Sequence, residues 1–266
     1  MKTYKETFDK LKKKNEGALV AFTVIGYPDY ETSLDIVKEI INAGADILEL
    51  GIPFSDPIAD GPSIQAASEK ALRNGINTDD AFEFANELRD YTEIPIGFLS
   101  YFNLIYQRGI EKFYSDAKKS KVNSVLIADL PIEEYNSFEK NNIDTVFMIT
   151  QLTPEKRIKE ISALTTGFIY AVSRLGVTGA KSSLDKSALD LIKRIKKISN
   201  KPVCAGFGIS SPHHVENIIK SGADGAIVGS AIIDIIAKNI NNKVKMLDGV
   251  GYFVKELKKA SKLRKI

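Results

Sequence analysis

The sequence predicts an α/β fold, a single (β/α)₈ TIM barrel, on three observations. The chain has 266 residues, close to the roughly 250 usual for one eight-stranded α/β barrel. Short apolar runs alternate with segments of helical spacing along its length, and eight such runs can be counted. No Gly-x-Gly-x-x-Gly follows the first run, so the alternative of a doubly wound open sheet has no support. There is no low-complexity segment and no linker rich in Pro, Gly or Ser, which favours one barrel domain over residues 1–266. The pattern adds an extra N-terminal helix and short extra helices after strands two and eight.

Residues 4–13 carry Tyr4, Phe8 and Leu11 at helical spacing with Lys on the other faces, which suits a helix covering the closed bottom of a barrel. The run ALVAFTV at 18–24 is apolar throughout and rich in β-branched residues, as expected of a strand buried on both faces. A helix over 31–42 follows, with Gly44 as its stop, and then the second strand at 45–51. Two helices come next, over 63–73 and 79–91, so this unit carries the extra one. The remaining strands are expected at 95–99, 124–128, 145–149, 168–172, 202–205 and 225–228. The helices between them fall at 109–119, 132–140, 154–164, 186–199 and 212–221. Gly229-Ser230 opens a short helix, AIIDIIAKN, and a last helix covers 249–262.

The bulk numbers exclude several function classes. At 44% hydrophobic and 27% charged, the composition is that of an ordinary globular protein with chain enough for a large core. The net charge of +3 arises from Lys interleaved with Asp and Glu, so nucleic acid is not an expected partner. Cys204 is alone, which excludes an internal disulfide and a multi-thiolate metal site, and in the run PVCAGF it reads as a small core residue. The N-terminal stretch has no apolar core and no segment is long enough to span a bilayer, so no membrane role and a cytoplasmic location are expected. The Lys-rich tail reads as a solvated helix face. His213 and His214 are adjacent, lack a third ligand and are read as surface residues, and no metal site is expected.

The chemistry concentrates at 48–65, LELGIPFSDPIADGPSIQ. Glu49 falls among Ile47, Leu48, Leu50 and Ile52, where an ionised carboxylate is costly without a partner. Pro53, Pro57, Gly61 and Pro62 then force a loop, so Glu49 and Asp60 flank a turn at a strand's C-terminal end, where barrels build active sites. The plainer alternatives are that Glu49 caps a turn or pairs with a Lys, and that Asp60 is the N-cap of the next helix. After strand six, the loop 173–181 contains two glycines and could close over a substrate or be a plain connection. Gly206 and Gly208 after strand seven, with Gly229 and Ser230 opening a helix after strand eight, match a phosphate site of backbone N–H groups, although glycines also simply make turns. These residues alone point to carboxylate acid/base chemistry on a phosphate-bearing substrate.

The stretch LELGIPFSDPIADGPSIQ resembles the signature segment of the tryptophan synthase alpha chain family, and the likeness extends to LIADLP, SRLGVTG, AGFGIS and VGSAI. The resemblance implies cleavage of indole-3-glycerol phosphate to indole and glyceraldehyde 3-phosphate, with Glu49 and Asp60 as the catalytic carboxylates. It further implies Phe22 and Leu99 at the indole pocket, Tyr170 near the glycerol phosphate, Thr178 as a loop residue positioning the aspartate, and Gly179, Gly208, Gly229 and Ser230 as phosphate contacts. No cofactor is implied for this chain; pyridoxal phosphate belongs to a partner beta chain in an α₂β₂ complex. The chain departs mildly from the family in the Ser and Gln of GFLSYFNLIYQRG and in Lys121, which stands where a small turn residue is expected.

Overall fold

In the computed structural model, which describes residues 1–135, 142–172, 186–206 and 208–262, parallel strands are wound into a nearly closed barrel with helices around it. The strands are β1 (Ala18–Val24), β2 (Ile47–Gly51), β3 (Ile96–Ser100), β4 (Ser124–Ile127), β5 (Asp144–Thr145), β6 (Phe147–Thr150), β7 (Ile169–Val172), β8 (Val203–Gly206) and β9 (Gly225–Val228). Their order is β5-β4-β3-β2-β1-β9-β8-β7-β6. Nine strands stand where eight were expected because the fifth is divided at Val146. Its first two residues pair with β4 and its last four with β7, so one run of chain joins the two ends of the ring.

Strands β1, β2, β4 and β9 are buried on both faces, and the period of two sorts their side chains. Leu19 and Ala21 of β1 join the large core between sheet and helices. Ala18 and Val20 instead meet Ile47, Leu126, Phe168, Cys204 and Ile227 inside the ring. Helix α1 (Tyr4–Lys13), fixed by a capping box between Thr3 and Glu6, closes this interior from below. Tyr4 and Phe8 meet Phe168 edge to face, and the Tyr4 hydroxyl is 2.7 Å from Ser124 Oγ. The expected cover for the barrel's bottom is therefore present, and Cys204 is the buried core residue it was read as.

The floor also holds a charge cluster. Lys258 bridges Asp46 at 2.8 Å and Glu16 at 3.3 Å, and Asp46 accepts the Leu19 N–H at 2.8 Å. Burial pushes the Asp46 carboxyl up, with Lys258 acting against it. Nearby, Gly17 N–H donates to the Ser261 carbonyl, so the end of the last helix is tied to the start of β1.

Helices α2 (Tyr30–Asn42), α3 (Pro62–Arg73) and α4 (Thr78–Tyr91) match expectation closely, although the extra α3 is twelve residues and not short. Helix α5 (Phe102–Arg108) is additional to the expected elements; Gly109, at φ +86, separates it from α6 (Ile110–Lys119), and seven residues are too few to show a period. After α7 (Ile132–Tyr135), the rest of the helix expected to 140 falls outside the described residues, and α8 (Glu155–Leu164), α9 (Lys186–Ile198) and α10 (Pro212–Lys220) follow. Helix α11 (Ser230–Lys238) opens directly from β9. The final helix α12 begins at Lys243, capped by Asn242, and runs to Ser261. It starts six residues before the expected 249; Gly251 inside it is buried, and a Cβ there would stand against the Glu39 side chain.

His213 is exposed, but His214 is buried, since the helical period turns it with Val215 and Ile218 toward the core, and its Nδ1 accepts the Ser210 N–H at 3.3 Å. Lys121 takes φ +53, the conformation a small turn residue would favour, and its carbonyl accepts Arg89 Nε–H at 2.9 Å.

Candidate active site

Along β2 the inward positions are Ile47, Glu49 and Gly51. Glu49 pairs across with Phe22 on β1 and Gly97 on β3, one layer above the apolar floor. It is 4% exposed, and its Oε2 has no hydrogen-bond partner among the described residues, so neither the turn cap nor the Lys pair accounts for it. Burial, reinforced by the nearby Asp60, pushes this carboxyl up to about 8, so it holds a proton at neutral pH.

Asp60 comes from the loop between β2 and α3. The N-cap of α3 is Gly61, without a side-chain cap, and the Asp60 side chain is instead engaged by Tyr101, whose hydroxyl donates to Oδ2 at 2.9 Å. Burial raises the Asp60 carboxyl and the Tyr101 hydrogen bond opposes it. Two carboxyls thus face one another in unlike settings: Glu49 dry and unpartnered, Asp60 less buried and hydrogen-bonded.

Both line a cavity of ≈ 170 Å³ at the C-terminal ends of the strands, together with Phe22, Leu99, Tyr170, Gly208, Gly229 and Ser230. Eight of the ten residues singled out in the sequence therefore meet here; Thr178 and Gly179, with the loop at 173–181, lie outside the described residues. Missing side chains make the room. A Cβ on Gly51 or on Gly229 would stand 2.8 Å from the Phe22 ring, and one on Gly206 would stand 2.8 Å from the Tyr170 ring. Tyr170 faces both carboxyls, which with burial push its phenol well up.

The opposite wall suits an anion. Gly208 has φ +62, a conformation favouring glycine, and Gly229 precedes α11 without any side chain capping that helix. The first N–H groups of α11 and its dipole thus open into the cavity beside Ser230. The sequence reading missed Tyr101, although an aromatic one residue past a barrel strand is a signal for it. It also missed Ile64, Ala128, Met148, Val172 and Ile209, whose small or apolar side chains resemble core.

Among the described residues, no group of three or more His, Cys, Asp or Glu could hold a metal ion, and no helix is long and apolar enough to cross a membrane. The model of the tryptophan synthase alpha chain family matches residues 8–262. A tryptophan synthase alpha chain from Methanoregula boonei is 46% identical over 253 residues, 94% of this chain and 96% of the relative. Another, from Photobacterium profundum, is 44% identical over 268 residues, 99% of this chain and 100% of the relative. Among solved structures, a tryptophan synthase complex from Pyrococcus furiosus contains a chain matching with TM-score 0.83 at 36% identity, covering 91% of this chain and 98% of that one. A protein from Aquifex aeolicus matches with TM-score 0.88 at 37% identity, covering 98% and 99%.

Proposed function

The chain belongs to the tryptophan synthase alpha chain family, lyases that cleave indole-3-glycerol phosphate in tryptophan biosynthesis, and from that premise we propose that Glu49 and Asp60 carry out the cleavage. The observation that carries the proposal is the dry, protonated Glu49 with a free Oε2, set beside Asp60 in the cavity. Glu49 gives its proton to C3 of the indole ring, and Asp60 holds the ring N–H as positive charge develops there. The glycerol hydroxyl then returns a proton to the Glu49 carboxylate as its carbon becomes the aldehyde. The electrons of the breaking carbon–carbon bond restore the aromatic ring. Indole and glyceraldehyde 3-phosphate leave, and Glu49 ends as it began, so the cycle balances by proton transfers and calls for no cofactor.

Phe22 and Leu99 form the walls for the indole, Tyr170 borders the glycerol, and Gly208, Gly229 and Ser230 receive the phosphate. Thr178 and Gly179 complete this reading as the residue positioning Asp60 and a further phosphate contact. The partner is a tryptophan synthase beta chain, whose pyridoxal phosphate uses the indole, in an α₂β₂ assembly. Supporting this, Ile58, Tyr106 and Leu152 are 76%, 63% and 92% exposed, and all three lie at the mouth end of the barrel. Indole release from indole-3-glycerol phosphate, with and without the beta chain, tests the reading. Undiminished release by both Glu49→Gln and Asp60→Asn would overturn the assignment of the two carboxylates.

A further inference from the structure

We propose that Tyr101 is a positioning residue for the cleavage, its hydroxyl fixing the direction in which Asp60 offers its free oxygen to the indole N–H. The inference rests on the reading of Asp60 given above and adds to it a residue that does not touch the reacting atoms.

The Ala59 backbone N–H, which can only donate, lies 3.1 Å from the Tyr101 hydroxyl oxygen, so that oxygen accepts. The phenol has a single hydrogen, and the remaining partner is Asp60 Oδ2 at 2.9 Å, so the hydrogen is committed there. Oδ2 must therefore act as an acceptor. Oδ1 accepts no hydrogen bond from the described residues and is left for the substrate. The anchor itself is rigid: Tyr101 is 1% exposed, at the start of α5, and its ring stacks on Phe54 at 4.9 Å and 25°. One side chain thus holds both the backbone of the loop, at Ala59, and the carboxylate that the loop presents. Such prepayment of orientation counts only while the charge on the ring develops, so it should appear in turnover more than in substrate binding.

The same hydrogen bond favours the ionised form of Asp60 against the burial that disfavours it. The other titratable groups around the cluster are Glu49 from β2, Tyr170 from β7 and Asp129 from the loop after β4.

The test is Tyr101→Phe, which keeps the ring and its stacking on Phe54 and removes only the hydroxyl. The expected result is a kcat for indole-3-glycerol phosphate about tenfold or more below wild type, the scale of one hydrogen bond to a charged group, with KM little changed. The acid limb of the kcat/KM profile should move to higher pH, a change that loosened packing alone would not give. In an Asp60→Asn background the same substitution should cost nothing further, because its route is already cut. Wild-type kcat and an unmoved acid limb in Tyr101→Phe, with Asp60→Asn slowed but measurable, would overturn this proposal while leaving the role of Asp60 intact. Full additivity of the two substitutions would overturn it as well. An active Asp60→Asn would instead remove the reading on which it rests.

Discussion

Glu49→Gln separates two properties that one carboxyl combines, and it should move them in opposite directions. The group is held near pKa 8 in the folded chain against 4.5 when free, so the folded state keeps a proton that the unfolded state releases. Below the free value both states are protonated and Glu49 costs nothing. As pH rises toward 8 the unfolded chain gains by ionising, so stability is lost progressively, and above 8 the loss levels off. Across about pH 5 to 8 the loss integrates to about 3–4 kcal/mol at roughly 1.4 kcal/mol per unit. Gln cannot ionise, so this pH-dependent loss should be absent from the variant, while carboxyls common to both proteins cancel in the difference. Urea unfolding of the two proteins at several pH values gives the measurement. The stability of Glu49→Gln relative to wild type should rise by about 3–4 kcal/mol over that range, while its turnover falls about 10²-fold or more. A stability difference that stays flat with pH would refute the argument that Glu49 is buried as a neutral acid, whatever the activity shows.

Gly208→Val should weaken binding of indole-3-glycerol phosphate and of glyceraldehyde 3-phosphate, since the residue lines the cavity at φ +62, a conformation a β-branched side chain rarely adopts, while leaving indole propanol, which lacks the phosphate, largely unaffected. Equal loss for all three ligands, by titration, would point to general damage and away from a phosphate site. Lys258→Met should strand Glu16 and Asp46 in a setting where Lys258 is only 12% exposed, at a cost of about 3 kcal/mol, and a urea midpoint equal to wild type would rule that out. Leu152→Asp should leave the chain's own Tm unchanged and weaken beta-chain binding about tenfold, and calorimetry showing unaltered affinity would place the partner elsewhere.

The barrel was legible because its strands are apolar on both faces: ALVAFTV and GAIV were bounded to the residue. Differences arise at an element's start, as in α12, or where an element is too short to show a period, as in α5. The division at Val146 could not be read because it reflects a change of pairing partner and not a change of residue type. In the site, Glu49 stood out because a carboxyl in an apolar strand is costly without a partner. Asp60 was ambiguous for the opposite reason, being a good N-cap residue immediately before Gly-Pro. Among the described residues it is Tyr101, brought from the next strand's end, that engages the side chain and turns it from that cap. Tyr101 stands one residue past β3, which marks its place, but a tyrosine declares its hydrogen bonds only once the neighbours are in place.

The helical floor of the barrel bears on how the protein can be handled. The first helix seats Tyr4 and Phe8 into the ring from below, and the last helix finishes beside Gly17 at the same end. An affinity handle, a dye or a surface tether attached through an exposed residue of the first helix, such as Lys5, would therefore sit on the pole away from the catalytic opening. Molecules immobilised in this way would all present their openings outward, accessible to substrate and to any subunit that docks there.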